Sequence, residues 1–142
     1  MRKIKFRAYD MDEKVMRKWE EIHFTKDIGD DYYMVGYKAS TACVKYDKEQ
    51  ILMQYTGFKD KKGTEIYEGD LCKVSAEEPY SNCYFVTDYD WKMIMYVDFE
   101  YGAFQLREVE DKYMSIYFIE TDDMNIEVIG NIYENPEVRK QK

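Results

Sequence analysis

Apolar residues near the start of the chain fall on every second position. Ile4, Phe6 and Ala8 alternate with Lys3, Lys5 and Arg7, a period that predicts a half-buried strand with a cationic outer face. The polar run Asp10-Met11-Asp12-Glu13-Lys14 predicts a turn. Val15 and Met16 open a second short segment, and Ile22 with Phe24 continues the two-residue period. The simplest reading of this stretch is a β-hairpin. Asp27 to Asp31, with Gly29 inside it, reads as a loop. Tyr32 to Tyr37 is apolar enough for a short strand ending near Gly36. Ala39 to Tyr46 fits either a strand or one to two helical turns, which periodicity does not separate.

Alternation returns at Ile51, Met53 and Tyr55 and runs into a glycine-punctuated segment, Gln54-Tyr55-Thr56-Gly57-Phe58-Lys59-Asp60-Lys61-Lys62-Gly63-Thr64-Glu65-Ile66-Tyr67-Glu68-Gly69-Asp70. Lys59 to Gly63 has the composition of a hairpin tip, with Gly63 free to take positive φ. Glu68-Gly69-Asp70 predicts a second tight turn that feeds a strand at Leu71 to Val74. Gly57, Gly63, Gly69 and Asp70 are therefore read as structural turn residues. Glu77 to Asn82 is polar, contains one of two prolines and reads as a loop or insertion, with Phe85 to Asp90 part of that excursion.

The pattern firms up again from Trp91. Val97 and Phe99 face Phe104 and Leu106 across Glu100-Tyr101-Gly102, the clearest hairpin of the second half. Within Arg107 to Asn125, the residues Tyr113, Ile116, Tyr117 and Phe118 fit a helical turn or an edge strand. Ile126, Val128, Gly130 and Ile132 share one face of a closing strand in which Gly130 marks a bulge or a close backbone approach. Asn135-Pro136 stops that strand. The charged tail from Val138 to Lys142 is expected to fray. Short strands separated by turns predict a mainly β chain built as a small barrel or rolled sheet, with an N-terminal β-hairpin extension and long loops. The expected organisation is an extension over 1–50, a barrel domain over 51–137 and a frayed tail over 138–142.

Length and composition fit one modest domain. The chain has 142 residues, 45% hydrophobic and 17% aromatic, including 15 tyrosines. That is enough apolar material for a core, and tyrosine suits half-buried pleated surfaces and interfaces. The net charge of −8 is unevenly placed. Met1 to Val74 carries 15 Lys+Arg against 14 Asp+Glu, and Ser75 to Lys142 carries 6 against 15. An acidic bulk field disfavours simple electrostatic binding of nucleic acid and suits a basic partner. Glu108, Glu110 and Asp111 are candidate contacts for such a partner, alongside the acidic loops Glu77-Glu78, Asp88 to Asp90 and Asp122-Asp123.

Candidate chemistry is sparse. Cys43, Cys72 and Cys83 are odd in number and lack ligand spacing, which fits reduced, apolar-like cysteines in a cytoplasmic protein. No stretch is apolar and long enough to span a membrane, and no signal peptide is evident. His23 is the single histidine, so one chain cannot supply two imidazoles to a metal; between Ile22 and Phe24 it is expected on a polar strand face. Glu65, Glu68 and Asp70 cluster beside glycines. They could form a cation or acid–base site, but turn chemistry explains them with fewer demands. No phosphate loop, nucleophile elbow or dinucleotide fingerprint occurs, and no cofactor or catalytic residue is expected. Lys59, Lys61 and Lys62, with Tyr55 and Phe58, make a small basic-aromatic cluster.

Three pieces of the chain together carry a resemblance. They are Ile4-Lys5-Phe6-Arg7-Ala8-Tyr9-Asp10 with Met16, the glycine-punctuated segment from Gln54 to Asp70, and the closing Ile126-Glu127-Val128-Ile129-Gly130-Asn131-Ile132-Tyr133-Glu134-Asn135-Pro136-Glu137. In this order they resemble the YopX family of small bacteriophage and prophage proteins. The resemblance implies an SH3-like β-barrel for the central and C-terminal part, a phage or prophage origin and a bacterial cytoplasmic setting. It implies no reaction. Gly29 to Tyr46, Ser75 to Lys92 and Arg107 to Asn125 match no part of the family pattern.

Three functional readings follow, in order of preference. The first is a non-enzymatic accessory protein that binds another macromolecule or itself. The second is a nucleic-acid-binding barrel using Lys59, Lys61 and Lys62 with Arg2, Lys3, Lys5 and Arg7. The third is an enzyme using carboxylates near the Glu65 to Asp70 turn.

Overall fold

The computed structural model describes residues 3–26, 28–29, 31, 33–40, 43–46, 50–76, 92–110, 115–118 and 124–139. The chain forms two compact units, Met1–Tyr55 and Thr56–Lys142. Both are mainly β.

The first unit opens with the expected hairpin. Strand β1 (Phe6–Asp10) pairs antiparallel with β2 (Val15–Arg17), placing Ala8 opposite Arg17 and Asp10 opposite Val15. The turn closes because the Asp10 carboxylate accepts the backbone N–H groups of Asp12 and Glu13 at 3.0 and 2.9 Å. A 3-10 turn at Trp19–Glu21 follows, its N-terminus capped by the Glu21 carboxylate on the Lys18 N–H at 2.8 Å. The alternation at Ile22 and Phe24 does form a strand, β3 (Ile22–Thr25), but it does not extend the hairpin. It is the outer strand of a separate antiparallel sheet with β4 (Met34–Ser40) and β5 (Cys43–Tyr46). The strand alternative for Ala39 to Tyr46 therefore prevails. Gln50 to Gln54, the start of β6 (Gln50–Lys59), pairs with the other side of β1. Ala8, Ile22 and Val35 form the core of this unit, with Phe6 and Leu52 packed against them.

The second unit takes the end of β6, then β7 (Glu65–Tyr67), β8 (Asp70–Ala76), β9 (Lys92–Glu100), β10 (Ala103–Glu108), β11 (Ser115–Tyr117) and β12 (Met124–Asn131). Five of these form an antiparallel sheet in the order β11-β10-β9-β8-β12, curled into a half-barrel. The two-residue period puts Cys72 and Val74, Met95 and Val97, Leu106, Ile116 and Ile126 on its inner face, with Ile66 and Phe118. Each fully buried aliphatic side chain of that kind contributes about 1.5–3 kcal/mol. The β9–β10 hairpin has the predicted register, Val97 opposite Leu106 and Phe99 opposite Phe104. Its tip takes φ of 53° at Tyr101 and 79° at Gly102, the handedness that matches strand twist. The Arg107 to Asn125 segment supplies the edge strand β11 rather than a helical turn. Among the described residues the sheet is open at β11 and β12.

Strand β12 carries the predicted bulge, its register against β8 shifting between Val128 and Gly130. A Cβ at Gly130 would overlap the Asn135 carboxamide, whose oxygen accepts the Asn131 N–H at 3.2 Å. Asn131 in turn accepts the N–H groups of Tyr133 and Glu134 at 3.1 and 2.9 Å. Strand β12 ends at Asn131, a turn over 132–134 follows, and Pro136 starts a short helix, α1 (Pro136–Arg139). Of the tail read over Val138 to Lys142, residues 140–142 lie outside the described residues. The loop read over Glu77 to Asn82, the excursion Phe85 to Asp90, Trp91, Cys83, Tyr113 and Asp122-Asp123 lie outside the described residues. No described helix is long and apolar enough to cross a membrane.

Candidate binding cleft

The glycine-punctuated segment builds its geometry around Asp60. Its Oδ1 accepts the N–H groups of Lys62 and Thr64 at 2.9 and 2.8 Å, and its Oδ2 reaches across to the N–H of Val128 on β12 at 3.0 Å. The backbone repeats the clasp, with Lys61 N–H donating to the Ile126 carbonyl at 3.1 Å. One buried carboxylate thus shapes the turn and pins it to β12. Burial alone would raise the Asp60 carboxyl; the N–H groups of Val128, Thr64 and Lys62 outweigh that and lower it.

The turn glycines divide into two kinds. Gly63 lies in the β6–β7 turn with φ of 83°, and Gly69 in the β7–β8 turn with φ of 81°, as read from the sequence. Gly57 is not a turn residue. It sits inside β6 with φ of 91°, where the Thr56 hydroxyl accepts the Phe58 N–H at 3.2 Å and donates to the Ile66 carbonyl at 2.8 Å. Phe58, next along the strand, is exposed. Asp70 closes the second turn by accepting the Tyr67 N–H at 2.8 Å.

Pinning the turn to β12 leaves a cleft of about 250 Å³ lined by Phe58, Lys59, Lys61, Ile66, Phe118 and Ile126, with Asp60 and Met124 completing it. Its apolar side is built from core residues. Phe118 is 3% exposed, while Phe58, stacked on it with ring centroids 5.1 Å apart, is 42% exposed. Lys59 and Lys61 are exposed and bring positive charge to the lip. Lys62 turns away, paired with Glu127 at 2.7 Å, an ion pair that raises its ammonium and lowers the Glu127 carboxyl. The predicted basic-aromatic cluster is therefore split. Phe58, Lys59 and Lys61 line the cleft, Lys62 does not, and Tyr55 belongs to the first unit, with the Lys5 ammonium 5.9 Å above its ring. Ile66, Phe118, Met124 and Ile126 are not visible as site residues from the sequence: Phe118 fits either a helical turn or an edge strand, and the other three carry only a core signature.

The remaining candidates are placed elsewhere. Glu65 accepts the Tyr67 hydroxyl at 3.0 Å, Glu68 is half-buried, and Asp70 serves its turn. Among the described residues no group of three His, Cys, Asp or Glu is arranged to hold a metal ion. His23 is half-buried on β3 opposite Gly36. Glu108 ends β10 half-buried and Glu110 is exposed beyond it; Asp111 lies outside the described residues. Cys72 is buried in the core.

A family model described as YopX protein matches residues 5–138. No curated protein matches the sequence. Two crystal structures share the fold. Protein EF1440 from Enterococcus faecalis is 24% identical with a TM-score of 0.62, the match covering 98% of this chain and 99% of that one. Protein yopX from Bacillus subtilis is 20% identical with a TM-score of 0.63, covering 94% of each chain.

Proposed function

Because the chain belongs to the YopX protein family, matched over residues 5–138, we propose that it is a non-enzymatic accessory protein of a phage or prophage, acting in the bacterial cytoplasm by binding another macromolecule in the cleft beside Phe58. The observation that carries this reading is the size and lining of the cleft. At about 250 Å³ it falls below the roughly 300–1,000 Å³ of small-molecule and cofactor sites. Open and lined by Lys59, Asp60 and Lys61 as well as by the Phe58 ring, it suits one or two side chains with a polar end and a flat apolar face presented by a larger partner. An exposed ring stacked on a buried one is pre-organised for such a contact, since little side-chain entropy remains to be lost. The lysines at the lip favour an anchor flanked by carboxylates.

The carboxylates support the non-enzymatic part of the reading. Asp60 and Asp70 hold backbone N–H groups and Glu65 holds a tyrosine hydroxyl, which are structural duties. The acidic Glu108–Glu110 end of β10 has the opposite sign to the cleft and points to a basic partner. We commit to the cleft because it adds shape to charge.

Capture from prophage-bearing cells with the tagged chain and with a Phe58→Ala/Lys61→Ala variant tests the proposal. A protein retained by the wild type, lost with the cleft variant and kept by a Lys92→Ala control is the expected result. Equal retention by all three overturns it. A labelled oligonucleotide bound at low salt by the wild type and not by the cleft variant would replace a protein partner with single-stranded nucleic acid.

A further inference from the structure

Strand β3 is the outer strand of its three-stranded sheet, paired only with β4 among the described residues. An outer strand offers its free backbone groups to another chain unless charge, proline or a covering element blocks it. Ile22-His23-Phe24-Thr25 contains no Lys, Arg, Asp, Glu or Pro. Beside it lies a cluster of four aromatic rings. Phe24 meets Phe6 with centroids 5.5 Å apart, Trp19 at 6.1 Å and Tyr33 at 6.0 Å. These rings do not close into a core: Trp19, Phe24 and Tyr33 are 37%, 40% and 56% exposed, with Met34 and Ile4 also exposed nearby in sequence. An open edge and an open aromatic cluster thus coincide at one strand.

We propose that this strand is a self-association surface, whose occupant is the β3 strand of a second copy of the chain. Charge identifies the occupant. The strand is entered through Glu20 and Glu21 and left through Lys26, all exposed. A two-fold axis perpendicular to the sheet pairs the two β3 strands antiparallel and keeps like faces together. Residues of the same parity must then oppose one another. The register that sets Ile22 across from Phe24 of the second copy brings the Glu20–Glu21 turn at the start of one β3 beside Lys26 at the end of the other, and the symmetry makes this approach twice. The same sequence of charges is complementary to itself. Four residues supply only a few backbone hydrogen bonds, so the aromatic rings provide most of the buried area, with Trp19 and Phe24 as anchors.

Sedimentation velocity of the full chain from low to several hundred micromolar tests the assignment. The wild type is expected to pass from monomer to dimer as concentration rises. Trp19→Glu/Tyr33→Glu, checked for an unchanged circular dichroism spectrum, is expected to remain monomeric. Glu20→Lys should weaken the dimer at least about threefold, from the loss of two exposed ion pairs, and Glu20→Lys/Lys26→Glu should restore it. A monomeric wild type throughout overturns the proposal. So does a dimer indifferent to both sets of variants, or a double charge reversal no tighter than the single one.

Discussion

The guanidinium of Arg17 lies over the ring of Tyr37, 3.5 Å from carbon to ring centroid. Arg17 also donates to Asp10 at 3.0 Å and Glu13 at 2.7 Å. This joins the β1–β2 hairpin to β4 within the first unit. Asp10 is fully buried and Arg17 nearly so. A buried charge of this kind is tolerable only while every partner is present. Asp10→Ala is expected to lower stability by about 3 kcal/mol by leaving Arg17 short of its counter-charge. Denaturant unfolding followed by tryptophan fluorescence in a Trp91→Phe background measures it, and a midpoint unchanged from that of the same background with Asp10 intact would refute it.

The same carboxylate sets an acid limit. Burial works to raise the Asp10 carboxyl, but the N–H of Glu13, the Arg17 guanidinium and the N–H of Asp12 outweigh it and lower the carboxyl from 3.8 to about 2. A folded value below the unfolded one means that the contribution is complete above about pH 4 and is lost as the pH falls toward 2. The difference in melting temperature between wild type and Asp10→Asn should be constant from pH 5 to 8 and shrink below pH 4. A difference that grows on acidification would contradict this account.

At the turn glycine Gly63 the cost of replacement depends on the side chain put in. Gly63 has open space around it, so only its φ of 83° resists a side chain. Gly63→Asn should cost a few tenths of a kcal/mol, while Gly63→Val should cost about 1–3 kcal/mol through backbone strain. Thermal melts of both variants check the order, and equal losses would show that strain is not the cause.

Much of this was legible in the residue pattern. Alternation at Ile51 to Tyr55 and in the two arms of the Val97 to Leu106 hairpin marks faces that tertiary packing has no reason to override, whereas β1, read as half-buried with a cationic outer face, has Ala8, Tyr9 and Asp10 all buried. Asp70 and Gly69 announce their turn because short polar side chains and positive φ are local needs. What failed were statements that depend on partners distant in sequence. Ile22 and Phe24 have strand periodicity, yet nothing local says that they join β4 rather than extend the first hairpin. Gly57 reads as a turn glycine like Gly63, because a positive φ inside a strand leaves the same mark. The cleft was half visible: Phe58, Lys59 and Lys61 are contiguous, but their apolar wall at Phe118 and Ile126 is some 60 residues further on and was brought there by the Asp60–Val128 contact.

That contact gives the next prediction. In Asp60→Asn one carboxylate oxygen becomes an NH₂ group, and whichever way it turns a donor meets a donor. The variant should lose about 1–3 kcal/mol and should bind the captured partner more weakly, since the cleft wall is no longer held to β12. Hydrogen exchange at the Val128 amide, slow in the wild type and faster in the variant, reports the release directly.

The central claim is that a partner enters the cleft beside the stacked rings of Phe58 and Phe118. The most direct measurement is amide hydrogen exchange of the chain alone and with the purified captured partner, repeated with Lys59→Glu/Lys61→Glu and with Glu108→Lys/Glu110→Lys. The account predicts protection centred on Phe58 to Lys61, Phe118 and Met124 to Ile126, abolished by the lysine reversal and retained with the glutamate reversal. Protection confined to the end of β10, lost with the glutamate reversal and indifferent to the lysines, would contradict it.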